Sequence, residues 1–121
     1  MALLNLIGRS LTNSQFLRHV RYEIIKDFLD FLILSKLKEA PCSGYDIMNH
    51  FRKVYGVLLS SGHVYSLLYR LESLGFVSGR STGKKRIYEL TPNGSLLHKM
   101  FCENILTIQM FMDRLFTNEF K

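Results

Sequence analysis

Acid is the scarcer charge in this chain. Ten Asp and Glu stand against sixteen Lys and Arg, giving a formal net charge of +6 and a pI near 9.5. That balance favours a polyanionic partner, either nucleic acid or an anionic membrane face. Cysteine is nearly absent: Cys42 and Cys102 have neither metal nor disulfide spacing, and free thiols suit a reducing compartment. No apolar run reaches membrane-spanning length, and the segment MALLNLIGRS has no basic leader before its short apolar run. The expectation is a cytoplasmic chain without a membrane partner. Histidines 19, 50, 63 and 98 are scattered, with no metal-ligand spacing. A phosphate-cradling glycine motif is also missing. These absences argue against an enzyme, so no catalytic residue, metal or cofactor is expected. Neither repeats nor an interdomain linker divide the 121 residues, and the 47% apolar content suits one domain with a modest core.

The most informative stretch is SSGHVYSLLYRLESLGFV, residues 60–77. Ser60 or Ser61 can cap a first helical turn. Val64, Leu67, Leu68, Leu71 and Leu74 recur at three- and four-residue steps and form one apolar stripe. Gly75 supplies the left-handed residue that ends the helix. His63, Ser66, Arg70 and Ser73 line the opposite face, with Tyr65 and Tyr69 between the two. A helix with one buried stripe and a cationic, hydrogen-bonding outer face suits the DNA major groove. An ordinary amphipathic surface helix would carry the same stripe, so the neighbouring elements have to decide.

Upstream, residues 1–11 read as an arm that Leu3, Leu4, Leu6 and Ile7 would pack down. Thr12 with Gln15 is a capping box. From Asn13 to Ala40 there is neither Gly nor Pro, which predicts one long helix or two with a break near Arg21–Glu23. Residues 28–37 are apolar nearly all round and should be buried on several sides. Pro41-Cys42-Ser43-Gly44 interrupts the chain. Ser43 with Asp46 forms a second capping box, opening a helix over residues 44–55 that Gly56 closes. Its buried side is expected to be Tyr45, Ile47 or Met48, Phe51 and Val54. Two helices joined by a brief turn make a helix-turn-helix. Cys42 lies beside a helix N-terminus, a place that can lower a thiol pKa; the plainer reading is a small residue in a tight turn. Cys102 reads as packing, or as a residue meeting its copy at a two-fold axis.

Downstream the period changes. Phe76–Arg80 and Arg86–Leu90 are short and β-favouring, and Ser81–Lys85 is a glycine-containing turn. From Gly79 to Arg86 there are four cations, Arg80, Lys84, Lys85 and Arg86, and no acid. Such a hairpin reads as a wing whose basic tip touches phosphates. Thr91 then caps a helix with Pro92 at its first position. Its apolar set exceeds one stripe over roughly 23 residues, about 35 Å. The surplus calls for a second copy of the chain. Leu97, Phe101, Ile105, Ile108, Met112 and Leu115 are the expected dimer interface, although a folded-back N-terminal segment 13–27 would be a competing cover.

The ordered set Gly44-Tyr45-Asp46-Ile47, Val64-Tyr65 through Arg70-Leu71-Glu72, Gly75-Phe76-Val77 and Tyr88-Glu89-Leu90-Thr91-Pro92-Asn93-Gly94 resembles the PadR family of winged-helix transcriptional regulators. The resemblance runs from about Phe28 to Gly94 and into the helix that follows. It implies a mostly α fold with a small β-hairpin (α+β): a winged helix-turn-helix with a long C-terminal dimerisation helix. Residues 1–27 would be an arm or extra helix, 28–91 the DNA-binding domain and 92–121 the dimerisation helix. It further implies a homodimeric repressor on a palindromic operator. The residues expected at DNA are Ser60, Ser61, His63, Ser66 and Arg70 with the wing cations, and Tyr65 and Tyr69, whose hydroxyls can reach phosphates or whose rings can equally wedge the helix against its neighbours. Some of the smaller family members bind flat hydrophobic ligands at the dimer interface, which makes a small hydrophobic effector a further expected partner. One departure matters: Ser61-Gly62-His63 stands where the family often has Pro-Gly-Thr, so the base preference does not carry over. A nonspecific architectural DNA binder and a winged-helix module for protein contacts are the alternatives.

Overall fold

The computed structural model describes residues 11–121. The arm expected to pack through Leu3, Leu4, Leu6 and Ile7 lies outside the described residues. Helix α1 (Asn13–Asp27) begins at Thr12, whose side chain and Gln15 cap each other reciprocally at 3.0 and 3.2 Å. It is followed by α2 (Leu29–Glu39), and the two are separated at Phe28, not near Arg21–Glu23. No helix breaker stands at Phe28, where φ is −101° and ψ is 13°. Ile25 is the buried residue of α1, whereas α2 buries Leu29, Ile33, Leu34 and Leu37.

Helix α2 is the centre of the fold. α1, α5 and the sheet pack around it, which is why its sequence is apolar on more than one face. The core adds Ile47, Phe51, Val57, Val64, Leu67, Leu68, Leu71, Val77 and Tyr88. Each such side chain contributes on the order of 1.5–3 kcal/mol by leaving water.

Strand β1 (Cys42–Ser43) leads into α3 (Gly44–Tyr55), which Ser43 and Asp46 cap as a box at 3.1 and 3.0 Å. Of the expected buried side of α3, Ile47 and Phe51 are buried and Met48 is half-buried, but Tyr45 and Val54 are 62% and 59% exposed. The helical period placed all of them on one broad side, and the core reaches only its middle. α4 (Ser61–Ser73) follows, then β2 (Val77–Thr82) and β3 (Lys85–Leu90). The sheet is antiparallel in the order β1-β3-β2, with Cys42 opposite Tyr88 and Val77 opposite Leu90. The strands run further than expected, so the tip is only Gly83-Lys84. Gly83 takes φ +61° and Lys84 has a negative φ, the first-position-glycine pattern of a tight hairpin turn.

The expected single C-terminal helix is two: α5 (Pro92–Glu103) and α6 (Ile105–Glu119). At Asn104 the side-chain amide donates to the Met100 carbonyl at 2.8 Å while the backbone N–H turns to Phe101 at 3.1 Å. A side chain inserted in the hydrogen-bond ladder bends a helix. At the start of α5, the Thr91 hydroxyl donates to the Gly75 carbonyl at 2.6 Å and accepts from Gly94 N–H at 3.1 Å. Thr91 N–H donates to the Phe76 carbonyl at 3.2 Å. Gly94 is packed so closely that a Cβ there would run into the Phe76 carbonyl oxygen.

That contact sets a stability prediction. Gly94→Ala must push α5 away from backbone that cannot yield, costing roughly 1–3 kcal/mol. Gly62→Ala meets nothing nearer than Ser60 Oγ at 3.7 Å and should leave the midpoint unchanged or higher. Thermal melts of the two variants check the contrast.

Candidate nucleic-acid interface

Ser60 caps α4, accepting from His63 N–H at 3.4 Å. Val64, Leu67, Leu68 and Leu71 form the buried stripe, and Leu74 lies beyond it at 59% exposure. Opposite the stripe, Gly62, Ser66, Tyr69 and Ser73 point outward and are exposed, with Ser61, Tyr65 and Arg70 exposed at the flanks. Tyr69, 72% exposed, thus stands at the centre of the outer face and not at its edge. The signal was in the spacing, since residues 62, 66, 69 and 73 share one helical row. His63 is instead half-buried, and its Nε2 is enclosed without a hydrogen-bond partner among the described residues.

Tyr65 has a second task. Its ring lies over Gly44, where a Cβ would come within 2.6 Å of the ring. Glycine at the first position of α3 lets the two helices of the helix-turn-helix close on each other. Sequence spacing alone did not reveal this pair.

The wing is fastened to the back of the same helix by Glu72. Its Oε2 accepts the Gly79 N–H at 2.8 Å, and Arg86 Nη2 donates to both carboxylate oxygens at 2.9 and 3.1 Å. Arg86 also lies 5.6 Å over the Tyr88 ring and so close to Gly79 that a Cβ there would meet it at 2.7 Å. Of the four wing cations, Arg86 is therefore occupied within the fold. Arg80, Lys84 and Lys85 are exposed and make no ion pair among the described residues. Helix α4 and the wing tip present hydrogen-bond donors and positive charge, and the nearby carboxylate of Glu72 is turned into the clamp.

The Cys42 thiol is shifted away from, not toward, the lowered pKa that a helix N-terminus can give. Half-buried in β1 and near Asp46, it has its pKa pushed up by desolvation first and by the carboxylate second. Leu97 and Phe101, expected between protomers, are engaged within the chain: Leu97 packs on the core, and Phe101 stacks on Phe31 at 4.5 Å. α6 has no buried residue in the single chain, and Leu106, Met110, Phe111, Phe116 and Phe120 are more than half exposed. α1 packs chiefly on α2, and most of α6 is exposed, with Ile108 and Met112 half-buried.

Residues 33–99 match the transcriptional regulator PadR-like family. The chain belongs to that family. Among solved structures, a transcriptional regulator from Clostridium thermocellum is 25% identical with a TM-score of 0.68, over 76% of this chain and 93% of that one. A PadR family transcription regulator from Clostridium difficile R20291 is 26% identical with a TM-score of 0.65, over 73% of this chain and 97% of that one. Bacillus subtilis PadR in complex with operator DNA is 28% identical with a TM-score of 0.57, over 61% and 46%. The same protein in complex with p-coumaric acid is 29% identical at 0.54, over 64% and 42%. No curated protein matches the chain. The PadR-like family is one of transcriptional regulators, and this chain is a DNA-binding regulator with the family's winged-helix fold. Among the described residues no helix is long and apolar enough to cross a membrane.

The clamp titrates. Gly79 N–H first, then Arg86, hold the Glu72 carboxyl below its ordinary value of 4.5. A carboxylate lowered in the folded state adds stability above its ordinary pKa, and that stability is lost as pH falls through the folded value. The Gly79 amide resonance should therefore titrate below pH 4.5. In Glu72→Gln that titration should vanish and Gly79 exchange should quicken at neutral pH. A two-dimensional NMR pH series reads both.

Proposed function

We propose that this PadR-like regulator is a homodimeric repressor that recognises a palindromic operator. The observation that carries the reading is the pairing, through Glu72, of an exposed polar helix face with an exposed basic hairpin. Ser61, Ser66 and Arg70, with Tyr69 at the centre of the face, would meet base edges or the adjoining phosphates; arginine reads guanine best, through two parallel hydrogen bonds. Ser60 and Tyr65 would lie at the margin of the same surface. His63, partly turned inward, would fix the helix start more than it reads bases. Arg80, Lys84 and Lys85 would neutralise phosphates, and Arg86 would position the wing. Repression needs only occupancy of the DNA, which these elements provide. The operator complex of the Bacillus subtilis PadR supports the same use of this fold.

Dimerisation follows from α6. Apolar surface left wet costs on the order of 25 cal/mol per Å², and a second copy supplies a self-complementary cover by two-fold symmetry. The expected seam of Ile105, Ile108, Met112 and Leu115 would share that cover with the more exposed Leu106, Met110, Phe111 and Phe116, and Leu97 and Phe101, engaged within the chain, would lie at its inner end. Two reading helices would then meet half-sites about one turn, roughly 34 Å, apart. The p-coumaric acid complex of the Bacillus subtilis protein supports a small hydrophobic effector; in this chain it would lie at the dimer interface, against aromatic and methionine side chains of α5 and α6.

Selection of bound sequences from random DNA tests the function. An inverted repeat is the expected product; recovery of unrelated sequences would leave a nonspecific architectural binder. In the same assay, Lys84→Ala with Lys85→Ala should weaken binding to all sequences alike and flatten the salt dependence by roughly 0.9 per lost phosphate contact. An unchanged slope would place the wing tip away from DNA.

Sedimentation tests the dimer. Ile108→Glu with Met112→Glu should give a folded monomer with weak operator binding, and a dimer of normal size would move the seam elsewhere.

A further inference from the structure

Helix α1 lies outside the family match at residues 33–99, and the DNA-reading surface makes no use of it. Between α1 and the turn from α3 to α4 is a cleft of about 660 Å³, within the size range of small-molecule sites. Arg18, His19, Arg21 and Tyr22 line it from α1; Tyr55, Gly56, Val57 and Leu58 line it from the turn. Its walls are held in place. Tyr22 packs on the core, and Tyr55 stacks on the buried Phe51 at 5.8 Å with His50 edge-on at 6.2 Å. Gly56, at φ +66°, turns the chain so that Val57, 2% exposed, forms the floor.

The charge in the cleft has one sign. No acidic side chain is among the described residues that line it. Arg18 and Arg21 make no ion pair among the described residues, and Glu23, close by on α1, is engaged by Lys26 at 3.7 Å. Two guanidiniums without a counterion, beside two phenol rings and an aliphatic floor, match a ligand with an anionic group on an apolar body.

We propose that this cleft binds a small organic anion with a flat apolar body. Arg18 and Arg21 take the charge, Tyr22 and Tyr55 flank the body, and Val57 and Leu58 seat it. A DNA phosphate would use the guanidiniums but leave the tyrosines and the floor idle, so the concave mixed lining favours the small molecule. Leu58 stands two residues before Ser60, the cap of α4. An occupant therefore bears on the segment that sets where the reading helix begins. That coupling rests on the DNA-binding role proposed above; the binding site does not.

The test uses the full chain and two dyes that differ by one charge, anilinonaphthalenesulfonate and uncharged phenylnaphthylamine, in fluorescence titrations. The expected result is a saturable sulfonate site that Arg18→Gln with Arg21→Gln weakens about tenfold or more, a loss of roughly 1.4 kcal/mol, with no change for the uncharged dye. Equal affinity for both dyes, insensitive to the arginines, overturns the proposal and marks an apolar patch. Overturning it equally would be a double variant that binds all DNA less well with a flatter salt slope yet binds the sulfonate as before, because α1 would then be a phosphate contact. With operator DNA present, the sulfonate should change operator affinity about fivefold or more, and DNA should change dye affinity by the same factor. Arginine-dependent dye binding with no such change overturns the coupling. The same dye binding on a chain that holds no DNA removes the operator reading and leaves the site standing.

Discussion

The seating of the wing on α4 depends on one carboxylate facing two ways. Glu72 is the last acid on α4, and on sequence grounds a carboxylate beside a phosphate-binding surface is a liability. The fold offsets that liability by pairing the charge with the Gly79 amide and the Arg86 guanidinium. The same three groups fix the angle between helix and hairpin. Beyond them the wing is joined to α4 through the turn at Leu74–Phe76, which Thr91 hydrogen-bonds, and through the packing of Val77 and Tyr88. Electrostatic masking and mechanical coupling are therefore one interaction, and changing either partner alters both.

Much of the architecture could be read from local chemistry. Thr12, Ser43, Ser60 and Thr91 each cap the helix they announce, because a capping hydroxyl acts on amides two or three residues away and needs no tertiary context. The stripe of α4 and the all-round apolarity of α2 were legible for a similar reason. What was hidden was tertiary. A helical period says which residues share a side but not how wide the core is, so Tyr45 and Val54 were grouped with Ile47 and Phe51 and proved exposed. The breaks at Phe28 and Asn104 have no Gly or Pro to mark them, and at Asn104 the side-chain amide folds back on the preceding turn. β1, with two residues, is too short to carry a period.

The candidate site was legible as a set of residue types and less so as a geometry. Exposure of the wing lysines and the face of α4 followed from composition and spacing. That Glu72 pairs with a nearby arginine instead of facing DNA follows from its charge, since a carboxylate beside phosphates is repelled; that the arginine is Arg86, and that His63 turns inward while Tyr69 takes the middle of the face, depended on contacts across seven and fourteen residues or on the exact phase of one helix. The cleft beside α1 was out of reach, because its two halves are more than thirty positions apart and neither has a recognisable motif alone.

The contact of Tyr65 on Gly44 bears on how portable the reading helix is. A recognition helix is often treated as a cassette, exchanged between relatives to redirect binding. Here the cassette is not self-contained. Its second turn is seated on a bare backbone in α3, and its last turn is tied to an arginine in β3. A transplanted helix with a different ring at position 65, or no acid at position 72, would arrive with the right face and the wrong tilt. Retargeting this regulator is an exchange of at least three segments, and relatives that share α4 but differ at position 44 should hold that helix at a different angle.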